Sequence, residues 1–388
     1  MRKRIVIACD SFKGCLESGE VASAVAEGIG IRGNEMHGTE VVTLEVADGG
    51  EGTGRILTRN LGGRFITIET SDPLGRTVTA EYGIVGTTGT AIIEMAQAGG
   101  LTLLKAHERN PLLTSTYGTG KMILDAAGKG CRRFLIGIGG SATNDGGTGM
   151  LEALGFRFTD RNGNTIKGCC GGRLAEIADI DSSDVPQEIL ESEFIVACDV
   201  TTPFYGEEGA SRVFARQKGA DDITIETLEK GMESFAKIIR HKYGIDLNGI
   251  PGTGAAGGLG GAFKAFLDAE LKSGIDMILD AAGFDEIIED ASLVITGEGC
   301  IDFQSDKGKV IDGICRRCRA KAVPVLAITG IVESNNESVT VIPIGPRPQN
   351  ESDLEYAMRP EVARKNISDT IAKALEAPSP FLCHANLL

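Results

Sequence analysis

The stretch RIVIACDS, residues 4–11, joins a short apolar run to an acidic, polar turn. Apolar runs of this length that end in turn residues are typical of buried β-strands. The residues that follow have a helical pattern, with Ser18 as a candidate N-cap and apolar residues at Val21, Val25 and Ile29. The start of the chain therefore predicts a strand followed by a helix.

The same order of strand and helix recurs along most of the chain. Further strands are predicted at residues 41–46, 65–70, 78–85, 91–95, 133–138, 194–197, 293–296, 323–329 and 339–342. Further helices are predicted at residues 120–127, 223–241, 259–271 and 353–375. The strands between residues 65 and 95 follow one another closely, which favours antiparallel pairing. The pattern predicts an α/β protein with mostly parallel sheets and a middle region that is inserted as a separate domain.

The composition is that of a globular protein and argues against several functions. Of the 388 residues, 42% are hydrophobic, and 54 acidic against 39 basic residues give a net charge of −15. This charge disfavours binding to nucleic acids or anionic membranes, because both require a basic face. No apolar run is long enough to predict a membrane-spanning helix, and the one at the start is too short for a signal peptide. We expect a cytoplasmic protein, and a homo-oligomer is compatible with the sequence.

The ten cysteines are scattered along the chain. Cys9 and Cys198 lie in predicted apolar strands, as reduced and buried thiols do. Cys315 and Cys318 form a lone C-x-x-C with no second pair and no clustered histidine, whereas a structural zinc site needs four ligands. We expect no metal or redox role for the cysteines.

Loops rich in glycine and acidic residues follow several of the predicted strands. They are residues 10–14 (DSFKG), 48–52 (DGGEG), 139–147 (GGSATNDGG), Asp199, and residues 297–299 (GEG). In open parallel sheets, ligands bind outside the carboxyl ends of the strands. One such acidic residue is usually a helix cap, but five acidic loops at one edge predict a shared active site.

This set of residues suits phosphoryl transfer. Glycines allow backbone N–H groups to approach a phosphate closely, and the loop 139–147 lies between a predicted strand and helix. Carboxylates bind Mg²⁺, and a further carboxylate can accept the proton of a substrate hydroxyl. Lys13 and Lys309, each beside a glycine, could neutralise the transferred group.

Several named motifs do not match. Gly120-Lys121 and Gly308-Lys309 lack the rest of a Walker A motif, and Thr143 stands where a nucleophile elbow needs glycine. Two dinucleotide-like patterns do occur, Gly137-x-Gly139-x-x-Ala142 after a predicted strand and Gly252-x-Gly254-x-x-Gly257 before a predicted helix. From the residue chemistry alone, a nicotinamide-dependent oxidoreductase acting on a small hydroxy acid therefore remains the alternative function.

Several longer stretches of consecutive residues resemble those of a known protein family. They are residues 8–14 (ACDSFKG), 47–53 (ADGGEGT), 110–113 (NPLL), 116–120 (TYGTG), 137–147 (GIGGSATNDGG), 198–200 (CDV), 214–220 (FARQKGA), 254–260 (GAAGGLG) and 296–299 (TGEG). In this order they closely resemble the bacterial glycerate kinase family, of the glycerate 2-kinase type. The resemblance runs from about residue 5 to about residue 330.

The resemblance implies a fold, an activity and its substrates. The fold would comprise a flavodoxin-like domain made of residues 1–75 and 275–388, and an inserted mixed α/β domain of residues 76–274. The activity would be transfer of the γ-phosphoryl group of MgATP to D-glycerate, usually giving 2-phosphoglycerate. The expected cofactors are ATP and Mg²⁺, and the expected partners are these small molecules alone.

Roles for individual residues are hypotheses within that family. The catalytic candidates are Asp199, Lys13, Asp48, Asn144 and Asp145, with Asp199 as the base because it ends an apolar strand where burial could raise its pKa. The candidates for binding nucleotide or transferred phosphate are Gly139, Gly140, Ser141, Gly257, Gly258 and Lys309. The candidates for binding Mg²⁺ are Glu51, Glu298 and Asp302.

Cys300 departs from the family pattern, which commonly has arginine after Gly-Glu-Gly. A cysteine cannot supply the charged, bidentate donor pair of an arginine. A phosphatase with similar loops, or a catalytically impaired homologue that only binds a small acid, therefore stays open at this point.

Overall fold

The computed structural model describes residues 3–31, 38–50, 52–301, 309–332 and 339–376. The chain divides into two compact units, one of Met1–Asp48 with Ile278–Leu388 and the other of Gly49–Met277. No described helix is long and apolar enough to span a membrane.

Strands and helices alternate along much of the described chain, with runs of consecutive strands such as β3 to β5. The strands are β1 (Arg4–Cys9), β2 (Glu40–Glu45), β3 (Arg64–Ser71), β4 (Thr77–Val85), β5 (Thr90–Glu94), β6 (Arg133–Gly137), β7 (Arg157–Thr159), β8 (Thr165–Ile166), β9 (Asp179–Asp181), β10 (Glu193–Ala197), β11 (Glu270–Lys272), β12 (Leu293–Ile301), β13 (Val325–Val332) and β14 (Thr340–Pro343). The helices are α1 (Ser18–Ile31), α2 (Thr53–Asn60), α3 (Ala96–Gly99), α4 (Tyr117–Gly128), α5 (Thr148–Ala153), α6 (Gln187–Leu190), α7 (Ala210–Phe214), α8 (Asp222–Tyr243), α9 (Ala255–Leu267), α10 (Gly274–Ala281), α11 (Phe284–Ile287), α12 (Lys309–Ala320), α13 (Glu351–Ala357) and α14 (Pro360–Ala374).

The first unit contains a five-stranded parallel sheet in the order β14-β13-β12-β1-β2. Counted within the unit, this is the 2-1-3-4-5 order of flavodoxin-like folds, read from the β2 edge. Helices α1 and α14 pack together, and their apolar residues, such as Val25 and Ile371, are buried with Ile7 and Ile295 of the sheet. The prediction of a flavodoxin-like domain built from both chain ends is confirmed.

The second unit contains a mixed six-stranded sheet in the order β11-β10-β6-β5-β4-β3. Strands β3, β4 and β5 pair antiparallel, as predicted, whereas β5, β6, β10 and β11 pair parallel. A small antiparallel sheet, β8-β7-β9, completes the unit. Its core is mainly aliphatic but includes several aromatic rings, and those of Phe134 and Phe194 stack with centroids 4.7 Å apart.

The unit boundaries differ from the expected domain boundaries, mainly at the first crossing. The expected boundary followed residue 75, whereas the structure divides the chain after Asp48. The reason is the pairing of β3, since residues from Arg64 to Ser71 form a full antiparallel ladder with β4. The second crossing, after Met277, lies close to the expected position.

Three local predictions are wrong. Ser18 is not a cap, because its Oγ donates to the Cys9 carbonyl at 2.7 Å and accepts from the Val46 N–H at 3.2 Å. Strand β12 continues to Ile301 instead of ending at residue 296, because its pairing with β13 extends from Val294 to Ile301. The last predicted helix is two helices, and the second begins at Pro360, which suits a first helical position but not a helix interior.

Candidate active site

A pocket of about 1620 Å³ opens at the carboxyl ends of the parallel strands in the first unit. One side is formed by the residues just after β1 and by the last residues of β12 and β13. The other side is formed by residues 344–349 and by helices α13 and α14. Its charged residues near the strand ends are Asp10, Lys13, Asp48, Glu298 and Lys309. The pocket lies where open parallel sheets bind their ligands.

Asp10 is the most buried of these carboxylates, with 4% of its surface exposed. Its Oδ1 accepts from the Ser11 N–H at 2.6 Å, which favours the charged form. Burial nevertheless raises the pKa of Asp10 to about 7, and the charges of Asp48 and Glu298 act in the same direction. A carboxylate with a near-neutral pKa in a pocket is suited to exchange a proton at physiological pH.

Lys13 and Asp48 form an ion pair beside Asp10, with 2.7 Å between Nζ and Oδ2. The hydrogen bond to Asp48 raises the pKa of Lys13, so this ammonium stays charged. The Lys13 side chain is 74% exposed, and it can therefore reach a ligand at little desolvation cost. Asp48 in turn orients the ammonium.

One carboxylate oxygen of Glu298 accepts hydrogen bonds from the start of helix α12. Its Oε1 accepts from the N–H groups of Val310 at 2.9 Å and Ile311 at 3.1 Å. Such bonds satisfy N–H groups that a helix start leaves without a partner. Lys309, the first residue of this helix, lines the pocket. Glu298 thus fixes the position of Lys309, and Cys300 lies farther along the same strand, also in the pocket wall.

In the second unit, the loop that follows β6 exposes part of its backbone. Gly139 and Gly140 are exposed and Ser141 is half-buried. Among the described residues, none accepts a hydrogen bond from the N–H groups of these three residues. Gly140 has a φ of 71°, a conformation that glycine adopts without strain. Three adjacent donors without partners can bind an anion such as a phosphate.

Asn144 and Asp145 lie farther along this loop and are fully buried. The Asp145 carboxylate accepts from Thr116 N, Thr116 Oγ1, Gly147 N and Gly149 N at 2.8–3.2 Å. Burial raises the pKa of Asp145, while these hydrogen bonds act to lower it. Asn144 Nδ2 donates to Ser211 Oγ at 3.3 Å. Both side chains brace the loop, and this geometry favours a supporting role over contact with a substrate.

Gly257 and Gly258 are buried against protein atoms instead of facing open space. Their φ angles of 67° and 93° lie in the left-handed region. A Cβ on Gly257 would lie 2.1 Å from the Thr143 carbonyl oxygen, and one on Gly258 would lie 2.7 Å from Met232 Cε. Glycine is needed at Gly257 and Gly258 because both residues pack closely against other protein atoms. This packing is evidence against the predicted contact of these two glycines with a phosphate.

Asp199 is half-buried at the end of β10. Its Oδ1 accepts from the Gly274 N–H at 2.9 Å. A Cβ on Gly49 would lie 2.9 Å from Asp199 Oδ2, and one on Gly139 would lie 3.8 Å from the Gly49 carbonyl oxygen. The turn at Gly49 therefore adjoins both Asp199 and the exposed loop at Gly139.

The predicted site residues thus fall into two groups, one in each unit. Lys13, Asp48, Glu298 and Lys309 line the pocket of the first unit. Asp199 and the loop from Gly139 to Asp145 belong to the second unit. Glu51 and Asp302 lie outside the described residues.

Two candidates were missed from the sequence, Asp10 and the buried Lys218. The signal for Asp10 was available, since Asp10 follows an apolar strand as Asp199 does. For Lys218, the sequence gives no sign of burial.

The first dinucleotide-like pattern does not have the geometry of such a site. A dinucleotide fingerprint needs a helix that begins within its glycine turn. Here α5 begins at Thr148, well after Ala142, and the Ala142 N–H donates to the Gly99 carbonyl at 2.8 Å. The second pattern, before α9, follows a short turn at Leu247–Gly249 instead of a strand.

The pocket of the first unit has the chemistry for a hard cation. Asp10, Asp48 and Glu298 line it near the strand ends, and carboxylate oxygens are the ligands that Mg²⁺ prefers. Within the described part of the chain, no group of three or more His, Cys, Asp or Glu side chains has the arrangement of a metal site. Mg²⁺ is usually bound by one or two carboxylates together with substrate phosphates and water.

An open parallel sheet with one buried carboxylate, further carboxylates and lysines at its carboxyl edge is typical of α/β enzymes that act on small anionic ligands. Comparison with known proteins gives the family. The model of the glycerate kinase family matches residues 5–377. The chain is 45% identical to "Glycerate kinase" of Halalkalibacterium halodurans, covering 86% of this chain and 87% of that protein. It is also 45% identical to "Glycerate 2-kinase" of Escherichia coli K12, covering 84% and 85% respectively.

A solved structure agrees with this match. A crystal structure from Salmonella typhimurium LT2, assigned as a glycerate kinase 2, superposes with a TM-score of 0.85 at 38% identity. The match covers 96% of this chain and 97% of that one. The chain belongs to the glycerate kinase family, as the sequence motifs predicted.

Proposed function

We propose that this protein is a glycerate kinase that transfers the γ-phosphoryl group of MgATP to the 2-hydroxyl of D-glycerate. The family match over residues 5–377 and the names of the relatives support the substrate class. The observation that carries the proposal is Asp10, a buried carboxylate beside an exposed lysine at the carboxyl edge of a parallel sheet.

Asp10 is the general base of the proposed reaction. Its carboxylate accepts the proton of the substrate hydroxyl while the hydroxyl oxygen forms its bond to the γ-phosphorus and the bond to the leaving ADP oxygen breaks. With a pKa of about 7, Asp10 is partly ionised at neutral pH and basic enough to take the proton. Asp199 is the second candidate for this role, and substitution of each by asparagine distinguishes them.

The cationic residues of the first unit and the exposed loop of the second unit each have groups that suit anions. Lys13 and Lys309 line the same pocket as Asp10, and their ammonium groups suit the carboxylate of glycerate or the transferred phosphoryl group. The N–H groups of Gly139, Gly140 and Ser141 suit a nucleotide phosphate. Asn144 and Asp145 support that loop.

Mg²⁺, when bound with the nucleotide, offsets phosphate charge. Asp48 and Glu298 could hold it, since both are carboxylates that line the pocket near the strand ends. The ion pair with Lys13 and the bonds to α12 orient these two side chains before any ligand binds. Cys300 lines this pocket but adds no positive charge to it.

The test is ADP release by the purified protein with MgATP and a panel of acids: D-glycerate, L-glycerate, D-lactate and glycolate. We expect release that depends on D-glycerate and on Mg²⁺. Matched reactions contain NAD⁺ with D-glycerate, followed by absorbance, and 2-phosphoglycerate alone, followed by phosphate release. Absorbance change without ATP would identify an oxidoreductase, and phosphate release without nucleotide would identify a phosphatase.

A further inference from the structure

Lys218 is a buried cation whose hydrogen bonds end on the glycine-rich loop. Only 1% of its surface is exposed. Its Nζ donates to Ser141 Oγ at 2.9 Å and to the Thr143 carbonyl oxygen at 2.6 Å. Both acceptors are neutral, and the charge of Asp145 acts on Lys218 from beyond hydrogen-bond contact. Burial lowers the pKa of Lys218 to about 7.

The local backbone places Lys218 at this position. Lys218 ends the short helical turn Arg216–Lys218, and Gly219 follows with a φ of 95°. A Cβ on Gly219 would lie 2.2 Å from the Arg109 carbonyl oxygen. Only glycine allows this close approach, so the turn is held against the segment at Arg109 and the lysine is directed inward.

An ammonium buried without a carboxylate contact is unfavourable in the free protein. A bound anion near the loop would offset that charge. Ser141, whose hydroxyl accepts from Lys218, is also one of the three residues whose N–H groups have no partner in the described structure. The ammonium of Lys218 therefore contacts a residue that also carries one of the three unpaired donors.

We propose that Lys218 is a positioning residue of the phosphate site: it fixes Ser141 and Thr143 and places a positive charge behind the N–H groups of Gly139–Ser141. The inference rests on the proposed function of this loop. Lys218 acts through Ser141 and does not itself contact the nucleotide. A phosphate bound at the loop would in turn favour the charged form of Lys218.

The test compares the dissociation constants of ADP and adenosine, which differ in the phosphates alone. Lys218→Met removes the charge and both hydrogen bonds, whereas Lys218→Gln removes the charge and keeps a donor. Lys237→Met is the control, because Lys237 lies on exposed helix surface and pairs with Glu233. We expect Lys218→Met to weaken ADP binding about tenfold or more and adenosine binding less than about twofold, as loss of a charge near a phosphate predicts. Lys218→Gln should lie between wild type and Lys218→Met.

Two results would overturn the inference. One is unchanged ADP binding in a folded Lys218→Met or Lys218→Gln variant. The other is equal weakening of ADP and adenosine, which indicates a general structural role. If Lys218→Met does not fold, the ADP-to-adenosine ratio of Lys218→Gln decides alone. Failure of the proposed function looks different, since the wild-type protein would then show no glycerate-dependent ADP release.

Discussion

Replacing Asp10 by asparagine is expected to stabilise the protein while it abolishes most of the activity. The pKa of Asp10 rises from 3.8 to about 7 in the folded protein. At about 1.4 kcal/mol per pKa unit, ionising this carboxylate in the folded state costs on the order of 4 kcal/mol. Asparagine has nearly the same shape, carries no charge and keeps an oxygen that can accept from Ser11.

Proton linkage gives the sign of the stability difference between Asp10→Asn and wild type, and the pH range over which it changes. Above pH 7 the folded and unfolded states both hold Asp10 ionised, and the wild type bears the full cost. Between pH 3.8 and about 7 the folded state binds more protons than the unfolded state, so wild-type stability rises as the pH falls. The advantage of Asp10→Asn is therefore about 4 kcal/mol at pH 8, about 1.5 kcal/mol at pH 5, and absent below the unfolded pKa.

The assay is urea unfolding of wild type and Asp10→Asn at pH 8 and pH 5, without nucleotide and with EDTA present. Asp290→Asn, at an exposed position of the same unit, is the control and should shift neither transition. The kcat of Asp10→Asn should fall about a hundredfold or more. Equal stability of Asp10→Asn and wild type at pH 8, or the same difference at both pH values, would refute the reasoning.

Three further predictions follow from the same geometry. The kcat/KM for D-glycerate should fall as the pH drops below about 7, because Asp10 is then protonated; a flat profile down to pH 5.5 would argue against this base. Gly257→Ala should unfold at lower urea concentration than wild type, since its Cβ would lie 2.1 Å from the Thr143 carbonyl oxygen. Gly140→Ala should fold and bind ADP more weakly. A stable Gly257→Ala together with an unstable Gly140→Ala would be inconsistent with the roles assigned to these glycines. Glu298→Ala should cost about 1 kcal/mol through the start of α12 and raise the KM for glycerate, measured beside the exposed control Glu289→Ala.

The fold was predictable because the sequence pattern is local. Apolar runs that end in Asp10, Asp48 and Asp199 marked strands and placed polar residues at their carboxyl ends. The extent of β12 was not predictable, because it depends on pairing with β13, far along the chain. The membership of residues 49–75 in the second unit likewise depends on the pairing of β3 with β4.

The site was predictable in composition but not in the role of each residue. Gly140 and Gly257 both lie in glycine-rich stretches, and only their surroundings show that one is exposed and the other packed. Asp10 and Asp199 both end apolar strands, but Asp10 is nearly fully buried whereas Asp199 is half-buried. Burial arises from tertiary packing, and the burial of Lys218 therefore left no local signal.

The most direct test of the central claim is phosphorus NMR of the product formed from MgATP and D-glycerate by the purified protein. The account predicts a phosphate-ester signal that grows with ADP and is split into a doublet by the single proton at C2. A triplet would place the phosphoryl group at C3 and contradict the proposed position of transfer. No ester signal above that of a reaction without the protein would contradict the assignment of this chain as a glycerate kinase.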